Sequence, residues 1–466
     1  MSADPLLILQ LQRMGDIILT FPLVDALRGA LPKHPILVVA DPAFSGPLSS
    51  LAPQVTFVSP NRLPDIARGR YHLAINLSSA PRAAECLGSV EAGTKLGPAM
   101  ERKGLRIHGP WQLYRASLTQ NNRHNRFHWS DLHALDLAPM AGPDLFGHPP
   151  RTHGKGDRLR VGLVLGASEE AKRPDADFWA RLAMRLAREG IWTILLGGKA
   201  EESLGAQVAA KAKLPDANMC GRLSLEGLAR TLRILDLCVT PDTGPMHLAD
   251  RLGVPVLNLS MGPVNARETG PVSPGQTVLR AAMSCAGCWQ CTRLQAPCRQ
   301  RFTAAAVAQA ILSLLKGARP ERTLRLTFLA TARGDHGLHR LDPVHQDAGL
   351  SCRDALETFW QAAFLALHGV QDDTASKRLG ELAAAHPVLH DRMRRHLLEI
   401  LAGCASHTRR RETTAPKFWM ERPPCVRLFT GYLHMALQNG DHDASAWRTV
   451  LGHLERVLEF FRDGGA

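Results

Sequence analysis

Short apolar runs separated by amphipathic stretches set the rhythm of the first part of the chain. Leu6 to Leu11, Ile36 to Ala40, Val55 to Val58 and Leu73 to Leu77 have strand length, and an amphipathic stretch from about Ile17 to Leu31 lies between the first two. Apolar runs of this length alternating with helices predict βαβ units around a mostly parallel sheet. Residues 138–157, rich in Pro, Gly and His, have no periodicity and are expected to form an interdomain linker. The rhythm then restarts, with strands expected at 160–165, 192–196, 235–240 and 254–259 and helices at 175–189, 201–212, 225–234 and 245–252. That pattern predicts a second doubly wound unit. From about residue 316 a loop-like stretch with one candidate strand (324–329) leads into helical segments near 353–369, 376–403, 425–437 and 444–462. The expected fold class is therefore α/β, with Rossmann-like domains over 1–150 and 158–315 and an all-helical appendage over 350–466.

Length supports the division, because 466 residues exceed what one hydrophobic core usually organises. A content of 45% hydrophobic and 21% charged residues suits a globular protein, and no run of about twenty apolar residues could span a bilayer. Met1 to Pro5 lacks the basic start and small-residue cleavage site of a secretory signal, so retention in the cytoplasm is expected. A formal charge of +13 implies an acidic partner. Nucleic acid is disfavoured as that partner, since there is neither a zinc-finger spacing nor an interleaving of aromatic and basic residues.

Three loops at expected strand ends carry candidate chemistry, because open α/β sheets bind ligands at the carboxyl ends of their strands. The first is Gln12-Arg13-Met14-Gly15-Asp16, which lacks the glycine pattern of a dinucleotide site. Asp16 is either a cap for the following helix or a reactive carboxylate. The second is Thr240-Pro241-Asp242-Thr243-Gly244-Pro245-Met246-His247. A helix starting there offers unpaired N–H groups, the Thr243 hydroxyl and a close approach at Gly244 to a diphosphate, with Asp242 orienting the loop or bonding sugar hydroxyls. The third runs from Gly166 through Ser168 to Lys172-Arg173-Pro174, and Lys172 is a compact cation suited to charge building on a departing diphosphate.

Asp16 with Pro22 behind it, Lys172, Gly197-Gly198 followed by Glu201, the run Leu223 to Ala229, and Asp242 to Leu248 together resemble the ADP-heptose:lipopolysaccharide heptosyltransferases of glycosyltransferase family 9. The resemblance spans roughly residues 5–315 and implies the GT-B architecture of two facing Rossmann-like domains. It implies an inverting transfer of heptose from ADP-heptose to the Kdo/heptose inner core of lipopolysaccharide, with Asp16 as general base and no metal cofactor. By the same resemblance Ser168 and Lys172 would meet the phosphates, Glu201 the ribose, Leu223 the adenine region, and Asp242, Thr243, Gly244 and His247 the diphosphate and sugar. Lys172-Arg173-Pro174 lacks the aromatic residue that the family usually carries before the proline. A non-catalytic nucleotide-sugar-binding or scaffold protein on the same fold is the alternative, with the helical tail as its working part.

Two further features stand beside these motifs. Basic residues from Lys95 to Arg126, Arg102, Lys103 and Arg106 among them, form a candidate patch for an acidic acceptor such as Kdo-bearing lipid A, or for the anionic inner membrane. Cys285, Cys288, Cys291 and Cys298 have a spacing that suits a structural zinc better than an iron–sulfur cluster, and reduced or redox-paired thiols are the alternative.

Overall fold

The computed structural model describes residues 3–138 and 158–463, except 284, 286, 287, 289, 290, 292, 294, 295, 335, 336, 346–350, 371–373 and 411–413. The expected linker, apart from Ala138, lies outside the described residues.

The first sheet contains β1 (Leu6–Leu9), β2 (Ile36–Val39), β3 (Val55–Val58), β4 (Arg70–Asn76), β5 (Glu91–Glu101) and β6 (Gly104–His108), in the order β3-β2-β1-β4-β5-β6. It is parallel up to β5, and β6 returns antiparallel as a hairpin. The four residues of β1 are all fully buried, as a central strand covered on both faces requires. The helix expected over 17–31 is divided into Met14–Ile18 and Phe21–Ala30. Pro22 is the cause: without an N–H, and with a ring that crowds the preceding turn, it stands at the start of the second helix rather than inside one. β5, β6 and the helices Pro81–Ser89, Pro110–Ser117 and Trp129–Ala134 escape the sequence pattern, because this stretch mixes charge with apolar residues at no sustained period.

The second sheet contains β7 (Arg160–Val164), β8 (Trp192–Leu196), β9 (Leu237–Pro241), β10 (Val256–Ser260), β11 (Thr277–Ala281), β12 (Leu326–Arg333) and β13 (His339–Pro343), in the order β13-β12-β11-β10-β9-β7-β8. The parallel core matches expectation over β7 to β10, while the parallel β11 is not among the expected strands, and the first crossover helix shows why the pattern is legible. Asp175 caps the helix Ala176–Arg188 through Phe178 N (2.8 Å), and Trp179, Ala180, Leu182, Ala183 and Leu186 bury one face. β12 and β13 add an antiparallel edge, so the second sheet runs beyond residue 315 to Pro343 and the candidate strand near 324–329 belongs to it.

The helices expected in the tail are present at Cys352–Leu367, Pro424–Asn439 and Ala444–Asp463, and the expected 376–403 segment is divided by Pro387 into Thr374–Ala385 and Pro387–Arg410. The tail is welded to the first domain. Tyr114 meets Phe364 and Tyr432 at centroid distances of 4.5 and 6.4 Å, and Trp111 meets His368 at 4.9 Å. The Asn439 side chain accepts from Ile107 N (2.7 Å) and donates to Ile107 O (2.9 Å), pairing with the backbone of β6.

Candidate functional site

The carboxyl ends of both sheets open onto one cleft of about 820 Å³. From the first domain it is lined by Arg13, Met14, Gly15, Asp16, Phe44, Asn122 and Trp129. From the second come Ser168, Lys172, Glu201, Asp242, Thr243, Gly244, His247, Glu268 and Thr269. All the predicted site residues in the three loops therefore converge on one space, and Leu223 alone among the predicted donor residues lies outside its lining. It precedes the Ser224 cap of helix Leu225–Arg233 and packs against the large apolar core.

Asp16 is half-buried in the short helix Met14–Ile18 and accepts from Arg13 N at 3.3 Å through one carboxylate oxygen. It thus caps the helix start while lining the cleft. Burial raises its pKa above the ordinary 3.8, while the hydrogen bonds of Arg13 N and its own N–H and the charges of Arg115 and Arg13 oppose the rise.

Opposite stands helix Gly244–Arg251, with Thr243 at its N-cap and Pro245 in its first turn. The Thr243 side chain makes no capping bond, which leaves its hydroxyl and the first N–H groups to the cleft. A Cβ added to Gly15 would lie 3.0 Å from His247 Cδ2 and 3.5 Å from Gly244 Cα, so the two loops touch only because both positions are glycine. His247 is buried with its pKa pushed down to about 4, and Nδ1 has no hydrogen-bond partner among the described residues. Asp242 accepts from Thr269 Oγ1 at 2.6 Å, and burial pushes its carboxyl up to about 6 against that bond and the pull of Lys172. Lys172 pairs with Glu169 at 2.7 Å, and Glu201 turns one oxygen back to Gly198 N at 2.9 Å. The cleft thus sets a carboxylate on one wall against a helix N-terminus and a cation on the other.

Several cleft residues lie outside the sequence reading. Glu268 bridges the domains, accepting from Asn122 Nδ2 (2.7 Å) and Asn125 Nδ2 (3.0 Å). It follows the carboxyl end of β10, so the strand-end rule that found the other loops applied to it as well. Trp129 and Phe44 line the first-domain side.

The basic run from Lys95 to Arg126 is dispersed rather than gathered. Lys95 bonds Gly88 O, Arg115 points inward to Leu77 O, and Arg126 faces Asp354. Arg106 is engaged by the tail, bonding Asn439 O at 2.6 Å and pairing with Asp441, so it leaves the candidate patch. Arg102 and Lys103 alone of the three named positions are exposed at the β5–β6 turn, flanked by the exposed Met100 and Leu105. Cys288 reaches the cleft, and its thiol is pushed up by burial first and then by Cys291, with smaller contributions from Cys298 and Cys285. Among the described residues no three His, Cys, Asp or Glu side chains are gathered as a metal-ligand set.

Two Rossmann-like domains facing each other across a ligand cleft define the GT-B class. The sequence model of glycosyltransferase family 9 (heptosyltransferase) matches residues 115–297. Lipopolysaccharide heptosyltransferase 1 of Pseudomonas aeruginosa is 39% identical over 117 residues, which are 25% of this chain and 32% of that protein. Lipooligosaccharide heptosyltransferase 2 of Campylobacter jejuni is 29% identical over 137 residues, 28% of this chain and 43% of that protein. The chain thus spans less than half the length of these curated relatives. A family 9 glycosyltransferase from Veillonella parvula superposes with a TM-score of 0.51 at 20% identity, covering 68% of this chain and 99% of its own. ADP-heptose lipopolysaccharide heptosyltransferase II of E. coli superposes with a TM-score of 0.51 at 20% identity, covering 67% and 99%. These two share the fold.

Proposed function

We propose that this protein is an inverting glycosyltransferase that moves heptose from ADP-heptose to the Kdo/heptose inner core of lipopolysaccharide. The observation that carries the reading is the opposition of Asp16 to the Gly244–Arg251 N-terminus across one cleft, at the contact between Gly15 and His247. Asp16 takes the proton from the acceptor hydroxyl as that oxygen attacks the anomeric carbon, and the ADP leaving group departs toward the second domain. The Thr243 hydroxyl, the first N–H groups of the helix and Lys172 meet the growing charge on the diphosphate. Transfer needs no metal in this reading, since the cation and the helix dipole supply the positive potential. A structural zinc on Cys285, Cys288, Cys291 and Cys298 is a separate proposal, tested by the metal content of the purified protein.

The names of the curated relatives give heptose as the transferred sugar and lipopolysaccharide or lipooligosaccharide as the acceptor class, and the cleft offers chemistry consistent with a diphosphate donor. Peripheral contact with the anionic inner face of the inner membrane is proposed at the β5–β6 turn, where Arg102 and Lys103 meet headgroups between exposed Met100 and Leu105. No helix among the described residues is long and apolar enough to cross a membrane. The test is mass spectrometry of products from ADP-heptose with Kdo-lipid A and with heptosylated Kdo-lipid A. Addition of heptose to one acceptor is expected. ADP binding without transfer to either would support a nucleotide-sugar-binding protein instead.

A further inference from the structure

Burial raises the pKa of Asp16, and the groups that oppose the rise help to set the pH range over which it can act as a base. Arg13 is exposed, so its charge is heavily screened. A second cation lies behind the wall. Arg115, on helix Pro110–Ser117, turns its guanidinium inward, where both Nη atoms donate to Leu77 O at 3.2 Å and Nη1 also donates to His133 Nε2 at 3.1 Å. Among the described residues no carboxylate stands within ion-pair distance of it. An inward guanidinium held only by a carbonyl and an imidazole is costly for folding alone.

The contacts continue to the base. His133 is fully buried, and its other ring nitrogen, Nδ1, lies 3.3 Å from Leu19 O, the residue that ends the helix carrying Asp16. One tautomer satisfies both contacts: Nδ1–H donates to Leu19 O while Nε2 accepts from Arg115. Burial and the Arg115 charge hold His133 neutral, with its pKa down to about 3, so the acceptor nitrogen is kept. The guanidinium, the imidazole and the Asp16 helix are thus joined in one chain of hydrogen bonds.

We propose that Arg115 is a positioning residue for Asp16: fixed by Leu77 and His133 behind the first-domain wall, it supplies the positive field in which Asp16 works as a base. The inference rests on the proposed role of Asp16 and goes beyond it, since Arg115 touches neither donor nor acceptor and lies outside the cleft lining. The charged groups that bear on Asp16 are Arg13 from the neighbouring turn, Arg115 from behind, and Asp242 across the cleft. His247, also across the cleft, is neutral, and Asp136 interacts with the same Arg115 charge.

The experiment is the pH profile of kcat/KM for heptosyl transfer in wild type, Arg115→Lys, Arg115→Gln and Asp16→Asn, with melting temperature and ADP affinity on the same preparations. Loss of the positive charge should move the acid limb of Arg115→Gln to higher pH while the plateau at alkaline pH changes little. Arg115→Lys, which keeps the charge, should stay near wild type. ADP affinity, which depends on the other domain, should be equal in all four and reports that the variants are folded. If Asp16→Asn is inactive and the Arg115→Gln acid limb coincides with wild type, Arg115 is structural only and the inference fails. If Asp16→Asn is active, the base assignment itself fails. Should Arg115→Gln not fold, the profile of Arg115→Lys against His133→Asn, which preserves a hydrogen-bonding side chain, decides the same point. His133→Asn is expected to shift the limb in the same direction by loosening Arg115, and an unmoved limb in that variant overturns the proposal.

Discussion

Gly15 and His247 meet across the interdomain cleft so closely that a single methyl group at position 15 would stand 3.0 Å from the imidazole. Gly15 has no positive φ, so nothing in its own backbone calls for glycine. The requirement comes from the facing domain. Gly15→Ala is therefore expected to keep or raise the melting temperature, since alanine favours a helix over glycine by about 1 kcal/mol. It should also lower turnover, by up to about 10²-fold if the two walls are held roughly 1 Å apart. Melting and product formation in one preparation check this, and unchanged turnover would mean that the loops do not close on each other during transfer.

Asp242 gives a proton-linked prediction for the donor site. Its carboxyl is already raised to about 6, and a diphosphate arriving beside it raises it further. ADP binding near neutral pH should therefore take up protons at this residue and tighten as pH falls toward 6. Calorimetry in buffers of different ionisation heat measures the uptake. Asp242→Asn should show less of it, and equal uptake in both proteins would assign the proton to the nucleotide instead.

Glu268 ties the domains together through Asn122 and Asn125. Removing it in Glu268→Ala leaves two buried amides without that acceptor, at a cost of about 1–3 kcal/mol for each orphaned group. The pH dependence has a definite sign. Burial raises its folded pKa from 4.5 to about 7, so its contribution is full below 4.5 and is lost as pH rises through 7. The stability of Glu268→Gln relative to wild type should therefore increase from pH 4.5 to 7, and denaturant titrations at the two ends measure it. A constant difference would show that Glu268 ionises as freely in the folded protein as in the unfolded one.

At the β5–β6 turn, Arg102→Glu with Lys103→Glu should weaken binding to vesicles containing anionic lipid and abolish its salt dependence, because exposed charges are screened within about 8–10 Å at physiological ionic strength. Arg106→Gln should instead lower the melting temperature, since that guanidinium holds the helical tail through Asn439 and Asp441. Vesicle sedimentation and thermal melting separate the two. Equal vesicle binding by the double variant would remove the turn from membrane contact.

The parallel cores of both domains and the loops of the cleft were legible because fully buried strands write themselves as runs such as Leu6–Leu9, and ligand loops fall at their carboxyl ends. Position in the fold then brought Asp16, Ser168, Lys172, Glu201, Asp242, Thr243, Gly244 and His247 to one space. What escaped has a common cause. Charged residues between 95 and 126 look alike in sequence whether they face water or the interior, and only packing distinguishes the exposed Lys103 from the inward Arg115. Similarly, nothing local marks Asn122, whose partner Glu268 lies 146 residues away along the chain. The tail's helices were visible by period, but its attachment to the first domain depends on Tyr114, Phe364 and Tyr432 meeting in space.

The central claim is that Asp16 is the base of a heptosyl transfer, and Asp16→Asn tests it most directly because asparagine can still cap a helix. The measurement is the initial rate of heptose transfer from ADP-heptose to the accepted lipid A substrate, with melting temperature and ADP affinity alongside. A normal melting temperature and normal ADP affinity with a rate lowered about 10²–10⁴-fold is the expected result, since positioned proton transfer contributes that much. Transfer by the asparagine variant at near the wild-type rate would contradict the account, leaving Asp16 as a helix cap beside a cleft whose chemistry lies elsewhere.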